Sequence, residues 1–442
     1  ASNIVKWARC SGSEYVIKRV KALKLFLIKG GDVPQGFARN RKGDLKGIFG
    51  SLIRWGRKSE KNFGKALQAL MSYTYFFHEK PTPSDKRKFK AALSSDKPDN
   101  LSDEFHRDFA LSVRRTFGMR AIKSTNSTES RIITFRGSEY RYRPKFDGLF
   151  PRSSTNKGIC DYITLSRVPS YRKLFRRYSS LFSRVFEGID LSSYTNDAFI
   201  DDISIDRRSQ CLTTPVYGGE VHFLMQEGGK MRSIASPHLI FQMALQPLGS
   251  SVYSFVQSLP WDCTFDQTKA VPFVQSALQQ RSTVHSVDLS SATDHFPMTL
   301  QLSFLRSIFG NQPDIDLFYE ISRSYWLTSE NDVVRWKRGQ PLGLYPSFGT
   351  FTATHGLLLW YLNNKQHNND FFVLGDDVII LNNDLYVKYV DCLNNMSCPY
   401  SSEKSISSNK LGEFAGKLIT SSSVIPMMKY KKLSNDNFLD IC

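Results

Sequence analysis

The first half of the chain has apolar residues at helical spacing. They recur every three or four positions in EYVIKRVKALKLFLIKG (residues 14–30) and in NFGKALQALMSYTYFF (62–77), and Gly or Pro follows each run. Such periodicity is typical of helices that bury one face against a core. The pattern predicts a mainly helical region over residues 1–215.

The clearest helical pattern lies in YRKLFRRYSSLFSRVFEG, where an apolar stripe is surrounded by cations. The stripe consists of Leu174, Tyr178, Leu181 and Val185, and the cations are Arg172, Lys173, Arg176, Arg177 and Arg184. A packed helix with a solvated basic face is one interpretation, and direct contact with a polyanion is the other. Three further basic runs, RNRKG, KRKFK and YRYRPK, leave the same two interpretations open.

From about residue 216 the pattern changes to short strands, turns and separate helices. STVHSVDLSS (282–291) predicts a strand that runs into a loop, and LYPSFGTFTATHGLLLWYL (344–362) predicts a helix after a turn. FFVLGDDVIIL (371–381) predicts two strands about a tight turn. Strand, helix and hairpin in this order predict an α+β sheet layer.

The composition indicates a class of partner through its net charge. The 442 residues are 41% hydrophobic, enough for a full core in two or three domains. The formal net charge of +18 favours polyanions, nucleic acid first and acidic membrane second, because bound cationic side chains release counterions.

The sequence also predicts a chain that acts inside a cell. No apolar run approaches the roughly 18 residues of a membrane span, and the N-terminal residues lack the apolar core of a signal peptide. Seven scattered cysteines without a CxxC pair argue against a disulfide framework and a zinc site, which fits a reducing compartment. The chain begins without Met, so it is either processed or a piece of a longer protein.

Two adjacent aspartates interrupt the apolar hairpin FFVLGDDVIIL. Burying either Asp376 or Asp377 unpaired costs several kcal/mol, and a divalent cation removes that cost. Hard cations such as magnesium prefer carboxylate oxygens, and two-metal phosphoryl-transfer sites take aspartates from different strands. Asp288, at the end of the strand in VHSVDLSSATDHFP, is the expected third carboxylate, and Asp294 follows six positions later.

The segments around these aspartates carry cations and glycines that suit phosphate binding. Lys230 and Arg232 follow a Gly pair in EGGKMRS, as expected for a clamp on a triphosphate. Gly339 and Gly343 punctuate GQPLGLYPS, a loop able to approach a nucleic-acid backbone closely. Lys404 lies in the polar loop SSEKS after the paired aspartates.

In this order the segments resemble the motifs of viral RNA-dependent RNA polymerases. The triphosphate-binding motif is GGKMR, and motifs A to E are DLSSATD, GQPLGLYPS, GDD, SSEKS and EFAGK. The residues of these motifs are most similar to those of the narnavirus and mitovirus lineage, whose relatives include levivirus and ourmia-like replicases. The resemblance covers roughly residues 215–420 and implies replication of a positive-strand viral RNA genome.

The resemblance implies an α+β, right-hand polymerase fold with fingers, a palm built on an RRM-like sheet, and a short or absent thumb. The predicted domains are a basic, mainly helical N-terminal region at 1–215, fingers with the triphosphate-binding motif at 216–282, a palm at 283–310 and 339–420, a fingers insertion at 311–338, and a C-terminal remnant of the thumb at 421–442.

The resemblance also implies roles for individual residues. Asp288, Asp376 and Asp377 would hold two Mg²⁺ ions, with Mn²⁺ as an alternative and Asp377 as the weaker ligand, and Lys404 would protonate the leaving pyrophosphate. Lys230 and Arg232 would bind the phosphates of the incoming ribonucleoside triphosphate, and Asp294 with Ser347 would recognise the ribose 2′-hydroxyl. The expected RNA contacts, to a single-stranded template and its product, are Gly339, Gly343, Arg172, Lys173, Arg176 and Arg177.

Structural interpretations stand beside two of these roles. The alternative interpretation of Lys404 is a surface lysine, and that of Ser347 is a helix cap. The chain also departs from the family pattern, because GTFTATHG offers only Thr and His where many RNA polymerases have an Asn that helps to read the 2′-hydroxyl.

The C-terminal end is a second departure. Only 22 residues follow SSEKSISSNKLGEFAGKLIT, too few for a helical thumb. We expect a partner chain or a longer parent to supply the thumb, and the alternative is that the N-terminal half folds around to serve.

Two rival functions remain at this point. A reverse transcriptase shares the palm chemistry, but it usually has Tyr or Phe two positions before the paired aspartates, where this chain has Leu374. A non-catalytic RNA-binding or genome-coating protein explains the charge and leaves the ordered motifs unexplained. The expected location is the host cytoplasm, with the mitochondrion as the alternative that a mitovirus-like chain implies.

Overall fold

The structure is a computed structural model that describes residues 2–76, 80–95, 97, 99–123, 154–186 and 215–430, with short strands between residues 131 and 151. The α-helices are α1 Ser2–Lys29, α2 Gly47–Gly56, α3 Glu60–Leu70, α4 Pro83–Leu93, α5 Asp103–Phe117, α6 Ser154–Ser166, α7 Pro169–Arg177, α8 Ser179–Val185, α9 Leu239–Gln257, α10 Val271–Gln279, α11 Ala292–His295, α12 Met298–Phe309, α13 Pro313–Ser322, α14 Tyr345–Leu362 and α15 Asn383–Asn395. A 3-10 helix, Met71–Tyr75, follows α3.

The strands form several separate sheets. They are β1 Arg131–Ile133, β2 Glu139–Arg141, β3 Phe146–Asp147, β4 Phe150–Pro151, β5 Tyr217–Gln226, β6 Lys230–Pro237, β7 Val284–Asp288, β8 Tyr325–Thr328, β9 Val333–Val334, β10 Phe371–Leu374, β11 Asp377–Ile380, β12 Ile406–Ser408, β13 Leu411–Phe414, β14 Lys417–Thr420 and β15 Val424–Pro426. The mixture of long helices and mainly antiparallel sheets is the predicted α+β class.

A four-stranded antiparallel sheet lies at the centre of the second half, in the order β10-β11-β7-β12. Helix α14 precedes the β10–β11 hairpin and α15 follows it, which gives the strand and helix sequence of ferredoxin-like and RRM domains. Almost every side chain of α14 from Pro346 to Trp360 is buried, because the helix is apolar on all sides and packs on α9, β10 and α15. The central sheet therefore rests on a helix that solvent does not reach.

A second sheet carries the predicted triphosphate-binding segment. Strands β5 and β6 form a long hairpin, and β5 also pairs in parallel with β8, giving the order β6-β5-β8-β9. The turn of the hairpin contains Gly228 and Gly229, with φ of 74° and 66°. These left-handed conformations favour glycine, since a side chain there is strained.

The N-terminal helices pack directly against the C-terminal strands. Helix α1 buries Val16, Val20, Leu23 and Leu27 in a core that also contains Ile406, Leu411 and Leu418. Strands β13, β14 and β15 form a three-stranded sheet, so residues 424–426 of the predicted thumb remnant are a strand, and residues 431–442 lie outside the described part of the chain. The N-terminal and C-terminal parts of the described chain thus share one core, and the source of the thumb stays a prediction.

The segment predicted as one basic helix at residues 171–188 is two helices. Helix α7 ends at Arg177 and α8 begins at Ser179, because Tyr178 leaves helical geometry with φ −110° and ψ 33°. The predicted stripe of Leu174, Tyr178, Leu181 and Val185 is nevertheless buried. Arg184, in α8, donates to the buried Asp314 carboxylate at 2.7 Å.

Replacing Arg184 by Met is expected to destabilise the protein by about 3 kcal/mol, because it leaves the Asp314 carboxylate buried without its cation. Arg177→Met is the matched control, since Arg177 pairs with Glu320 at the surface and its loss should cost less than about 1 kcal/mol. Thermal or urea unfolding measures both. Equal losses from the two variants would contradict a structural role for Arg184.

Among the described helices, none combines the length and the apolar character that crossing a bilayer requires.

Candidate active site

The three predicted aspartates meet at one end of the central sheet. Asp288 is the last residue of β7 and Asp377 the first of β11, and the two are direct partners across the antiparallel pair, so their side chains leave the same face of the sheet. Asp376 lies in the two-residue turn between β10 and β11, and its side chain is exposed. The site therefore has one carboxylate on each of two strands and a third at the hairpin tip.

Glycine at position 375 is needed for this turn. Its φ is 60°, and a two-residue hairpin loop with Gly first is a common solution for twisted strands. A Cβ atom at Gly375 would also lie 2.9 Å from Cε2 of Phe348 in α14. The tight turn places Asp376 beside Asp377 with no intervening residue.

The carboxylates repel one another. The pKa of Asp377 is raised to about 7, first by burial and then by the charges of Asp376, Glu413 and Asp288. Glu413 of β13 has its own pKa raised, first by burial, with Asp288 adding to the effect and Lys24 opposing it. This end of the sheet is consequently a place where additional positive charge is favourable.

Lys404 supplies one such charge. Its Nζ donates to Asp288 Oδ2 at 2.9 Å, although both side chains are partly exposed. The loop that carries Lys404 is fixed to the strand, since Ser401 N donates to Asp288 O at 2.8 Å and Asp288 N donates to Ser405 Oγ at 3.1 Å. The residue predicted to be a general acid thus contacts a predicted metal ligand.

The donor set fits a hard divalent cation in its chemistry. Asp288, Asp376 and Asp377 offer only carboxylate oxygens, and an ammonium group already occupies one of them. Within the part of the chain that the structure describes, no three acidic, histidine or cysteine side chains lie close enough to form a ready-made metal site. Lys404 contacts only Oδ2 of Asp288, and the binding of a metal ion by these carboxylates stays a prediction.

Lys230 and Arg232 lie on one face of β6, two residues apart. The pKa of Lys230 is lowered, first by burial and then by Arg232, while the charges of Asp376 and Asp288 oppose the shift. Arg232 Nε donates to Gln226 Oε1 at 2.6 Å, across the same hairpin. The structure thus brings the predicted phosphate clamp within electrostatic range of the aspartates.

His355 of α14 holds the hairpin tip from below, a contact that the sequence did not predict. The fully buried imidazole has Nδ1 2.8 Å from Gly375 O and Nε2 2.6 Å from the Tyr389 hydroxyl. Because a carbonyl only accepts, Nδ1 donates to Gly375 and Nε2 accepts from Tyr389. The pKa of His355 is lowered to about 4, chiefly by burial, so the ring is neutral at pH 7.

The two predicted RNA-contacting glycines lie against protein backbone. A Cβ atom at Gly339 would be 1.9 Å from Thr293 O, and Gly339 N donates to Asp294 O at 3.1 Å. A Cβ atom at Gly343 would be 1.7 Å from Ala235 O of β6. Gly339 is buried, so close packing on α11 explains a glycine there, and its contact with RNA stays a prediction.

Asp294 is held in place by an indole. Trp336 Nε1 donates to Asp294 Oδ1 at 2.8 Å, and burial raises the pKa of Asp294 to about 6 while that hydrogen bond opposes the rise. Ser347 is only 1% exposed, and its hydroxyl donates to Pro341 O at 2.9 Å. The N-cap position of α14 is Leu344 and has no side-chain cap, so Ser347 is not the helix cap of the alternative interpretation, and its contact with ribose stays a prediction.

The predicted RNA contacts on α7 are at the surface. Arg172, Lys173, Arg176 and Arg177 are all exposed. Two of them also make protein contacts, because Arg172 Nε donates to Ser166 O at 2.9 Å and Arg177 pairs with Glu320 at 2.8 Å. Contact of these residues with RNA stays a prediction.

The decisive observation about identity is a family match. The model of the mitovirus RNA-dependent RNA polymerase family matches residues 153–437, more than half of the chain. The chain belongs to this family. The matched segment contains the three aspartates, the phosphate clamp and Lys404.

Two individual relatives are also similar to the chain. The chain is 28% identical over 205 residues to the RNA-directed RNA polymerase of Cryphonectria parasitica mitovirus 1 (strain American chestnut tree/New Jersey/NB631), a match to 45% of this chain and 25% of that protein. It is 30% identical over 163 residues to an uncharacterized mitochondrial protein of Arabidopsis thaliana, 34% of this chain and 76% of that protein. The chain thus spans about a quarter of the length of the mitovirus relative.

Solved structures of viral RNA polymerases are also similar to this mitovirus-family chain. The RNA-dependent RNA polymerase of a human picorbirnavirus, in an insertion-loop deletion mutant, matches with a TM-score of 0.38 and 17% identity over 46% of this chain and 44% of that one. The BmCPV RNA-dependent RNA polymerase at elongation state matches with a TM-score of 0.48 and 11% identity, over 98% of this chain and 42% of that one.

The parts of the site that the sequence missed all come from distant positions. His355 contacts a residue 20 positions away, and Lys21 donates to Gly228, 207 positions away. Glu413 was noted only as part of motif E. The effect of its charge on the pKa of Asp377 depends on how β13 packs beside β7 and β11. No local pattern in the sequence signals these contacts.

Proposed function

We propose that this chain synthesises RNA on an RNA template and so replicates a positive-strand viral RNA genome. The observation that carries the proposal is the pairing of Asp288 with Asp377 beside Asp376, in a chain of the mitovirus RNA-dependent RNA polymerase family. The substrates in this proposal are a single-stranded RNA template and ribonucleoside triphosphates, and the site of action lies in the host cell. The mitochondrion is included as a location because two relatives are named as mitochondrial proteins.

In the proposed reaction, the 3′-hydroxyl of the growing RNA attacks the α-phosphorus of the incoming nucleotide. A new P–O bond forms and the bond to the bridging oxygen breaks, so pyrophosphate leaves. Asp288, Asp376 and Asp377 would hold two magnesium ions, with manganese as an alternative. When bound, the ions would lower the pKa of the attacking hydroxyl and neutralise the charge on pyrophosphate.

The remaining steps fall to the chain's own charged side chains. Lys230 and Arg232 bind the triphosphate, which orients the α-phosphorus toward the sheet end where the aspartates lie. Lys404, once it leaves Asp288 Oδ2, is within reach of the same region and donates a proton to the leaving pyrophosphate. Asp294, oriented by Trp336, accepts from the ribose 2′-hydroxyl.

The proposal is tested by the choice of nucleotide on an RNA template. The full chain with magnesium should extend an RNA primer with ribonucleotides far more efficiently than with deoxyribonucleotides. A preference for deoxyribonucleotides would establish a reverse transcriptase in its place. Tight RNA binding with no incorporation of either would contradict the polymerase proposal and favour the RNA-coating alternative.

Trp336→Phe is expected to lower the preference for ribonucleotides over deoxyribonucleotides by about tenfold, because Asp294 loses the charge-assisted hydrogen bond that orients it. Trp326→Phe is a matched control: Trp326 is equally buried, and its Nε1 has no hydrogen-bond partner among the described residues. Steady-state kcat/KM for a ribonucleotide and its deoxy analogue gives the ratio. The same ratio in both variants would contradict the role of Trp336.

A further inference from the structure

Helix α1 contacts the tip of the β5–β6 hairpin, although in the sequence α1 lies far from the polymerase motifs. Lys21 Nζ donates to Gly228 O at 2.8 Å, and Gly228 N donates to Phe76 O at 2.9 Å. A Cβ atom at Gly228 would lie 2.7 Å from Cε2 of Tyr73. The hairpin that carries Lys230 and Arg232 therefore ends on the N-terminal helices.

The same helix also contacts the loop that carries Lys404. Lys29, at the end of α1, donates to Ser402 O at 3.0 Å and to the carbonyl of Glu403. Helix α1 is anchored between these two elements by its buried face of Val16, Val20 and Leu23. The helix thus bridges the two elements that bear the predicted phosphate-handling cations.

Lys21 lies in a group of cations without a carboxylate of its own. Its pKa is lowered, first by burial and then by the charges of Lys404, Lys24 and Lys230. Among the described residues, no carboxylate lies within ion-pair distance of Lys21. The half-buried ammonium donates one of its three N–H groups to Gly228 O. A half-buried cluster of like charges is stabilised when an anion binds among them.

We propose that Lys21 contacts the terminal phosphates of the incoming nucleoside triphosphate, and the pyrophosphate that leaves, together with Lys230. The inference rests on the proposed polymerase function and extends it. Lys21 lies outside residues 153–437, which match the family, so the N-terminal helix adds a phosphate ligand that the motifs do not contain. It would also make the N-terminal region part of the active site as well as of the fold.

Direct binding of magnesium tripolyphosphate, measured by calorimetry with the full chain, tests the contact without any RNA synthesis. Lys21→Met should weaken binding about tenfold, as expected for loss of one hydrogen bond to a charged group. Lys6→Met is the matched control, because it removes the same charge from an exposed position of α1 that precedes the break at Gly12, and it should change the affinity less than twofold. Equal affinities for these two variants, or no binding by the unaltered chain, would overturn the proposal.

A second pair of variants separates direct contact from a purely structural effect on the hairpin. If Lys21 only positions Lys230 and Arg232 through Gly228, then Lys21→Met has no further effect in a chain that already carries Lys230→Met and Arg232→Met. Direct contact predicts a further loss of several-fold in that background. Lys21→Arg should restore most of the affinity, and unchanged melting temperatures should accompany all of these results.

The inference and the proposed function fail in different ways. RNA synthesis in which Lys21→Met leaves the nucleotide KM unchanged would overturn the inference and leave the polymerase intact. Tripolyphosphate binding that depends on Lys21, in a chain that makes no RNA, would support the phosphate contact and overturn the function. We expect a KM raised about tenfold with kcat changed less than threefold.

Discussion

Asp288→Asn is expected to reduce nucleotide incorporation at least about a thousandfold. The substitution keeps the size and hydrogen-bonding reach of the side chain but removes the charge that would hold a divalent cation, a contribution of several kcal/mol to the transition state. The backbone contacts of Asp288 with Ser401 and Ser405 are unaffected, so the loop that carries Lys404 should keep its place. Single-turnover extension of a primer on an RNA template measures the loss.

The control for Asp288→Asn is Asp384→Asn, at an exposed position in the first turn of α15. It changes the net charge by the same amount and should leave incorporation within about twofold, since surface substitutions usually have small effects. RNA affinity should be equal to that of the unaltered chain for both variants, or slightly higher because a negative charge is lost. Activity above a tenth of normal in Asp288→Asn would show that the chemistry lies elsewhere.

His355→Phe is expected to have the second large effect, on stability and activity together. It leaves Gly375 O and the Tyr389 hydroxyl buried without their partner, which costs about 1–3 kcal/mol for each group. Because Gly375 directly precedes Asp376, a shift of the turn should also lower kcat by about a hundredfold. Tyr389→Phe removes only the hydroxyl and keeps the bond between His355 and Gly375. It should therefore lower the stability but reduce kcat much less than His355→Phe does.

The pH dependence of stability provides an independent check on His355. Its pKa is about 4 in the folded chain, below the ordinary value near 6.5, so below pH 6.5 the unfolded chain binds the proton that the folded chain rejects. The contribution of neutral His355 is therefore complete above pH 6.5 and is lost as the pH falls toward 4. Urea unfolding across this range should be less pH-dependent in His355→Phe, and an unchanged slope would contradict the buried, neutral imidazole.

The local chemistry of the site follows from the sequence because it depends on neighbouring residues. Asp288 was expected at a strand end and Asp376 in a tight turn, and short apolar runs with a glycine at the turn suffice for both. The apolar stripe of residues 174–185 was likewise predicted and is buried, but the break at Tyr178 was not. An apolar stripe indicates which face of a segment is buried. It does not indicate whether the backbone is helical along the whole segment.

Contacts between distant segments could not be read from the sequence. The sequence did not predict that the Ser347 hydroxyl donates to Pro341 O or that Gly339 packs against Thr293 O. Lys21 and His355 have no motif of their own, and their significance depends on which loop the fold places beside them. Such pairings depend on tertiary packing, which overrides local preference.

The most direct test of the central claim is incorporation of labelled ribonucleotides on a single-stranded RNA of defined sequence, with magnesium, by the full chain and by Asp376→Asn. The account predicts a product complementary to the template from the unaltered chain and none from the variant, with equal RNA binding by both. Template-complementary product from Asp376→Asn at normal rate would contradict an active site built on the β10–β11 hairpin, and so would the absence of product from both chains.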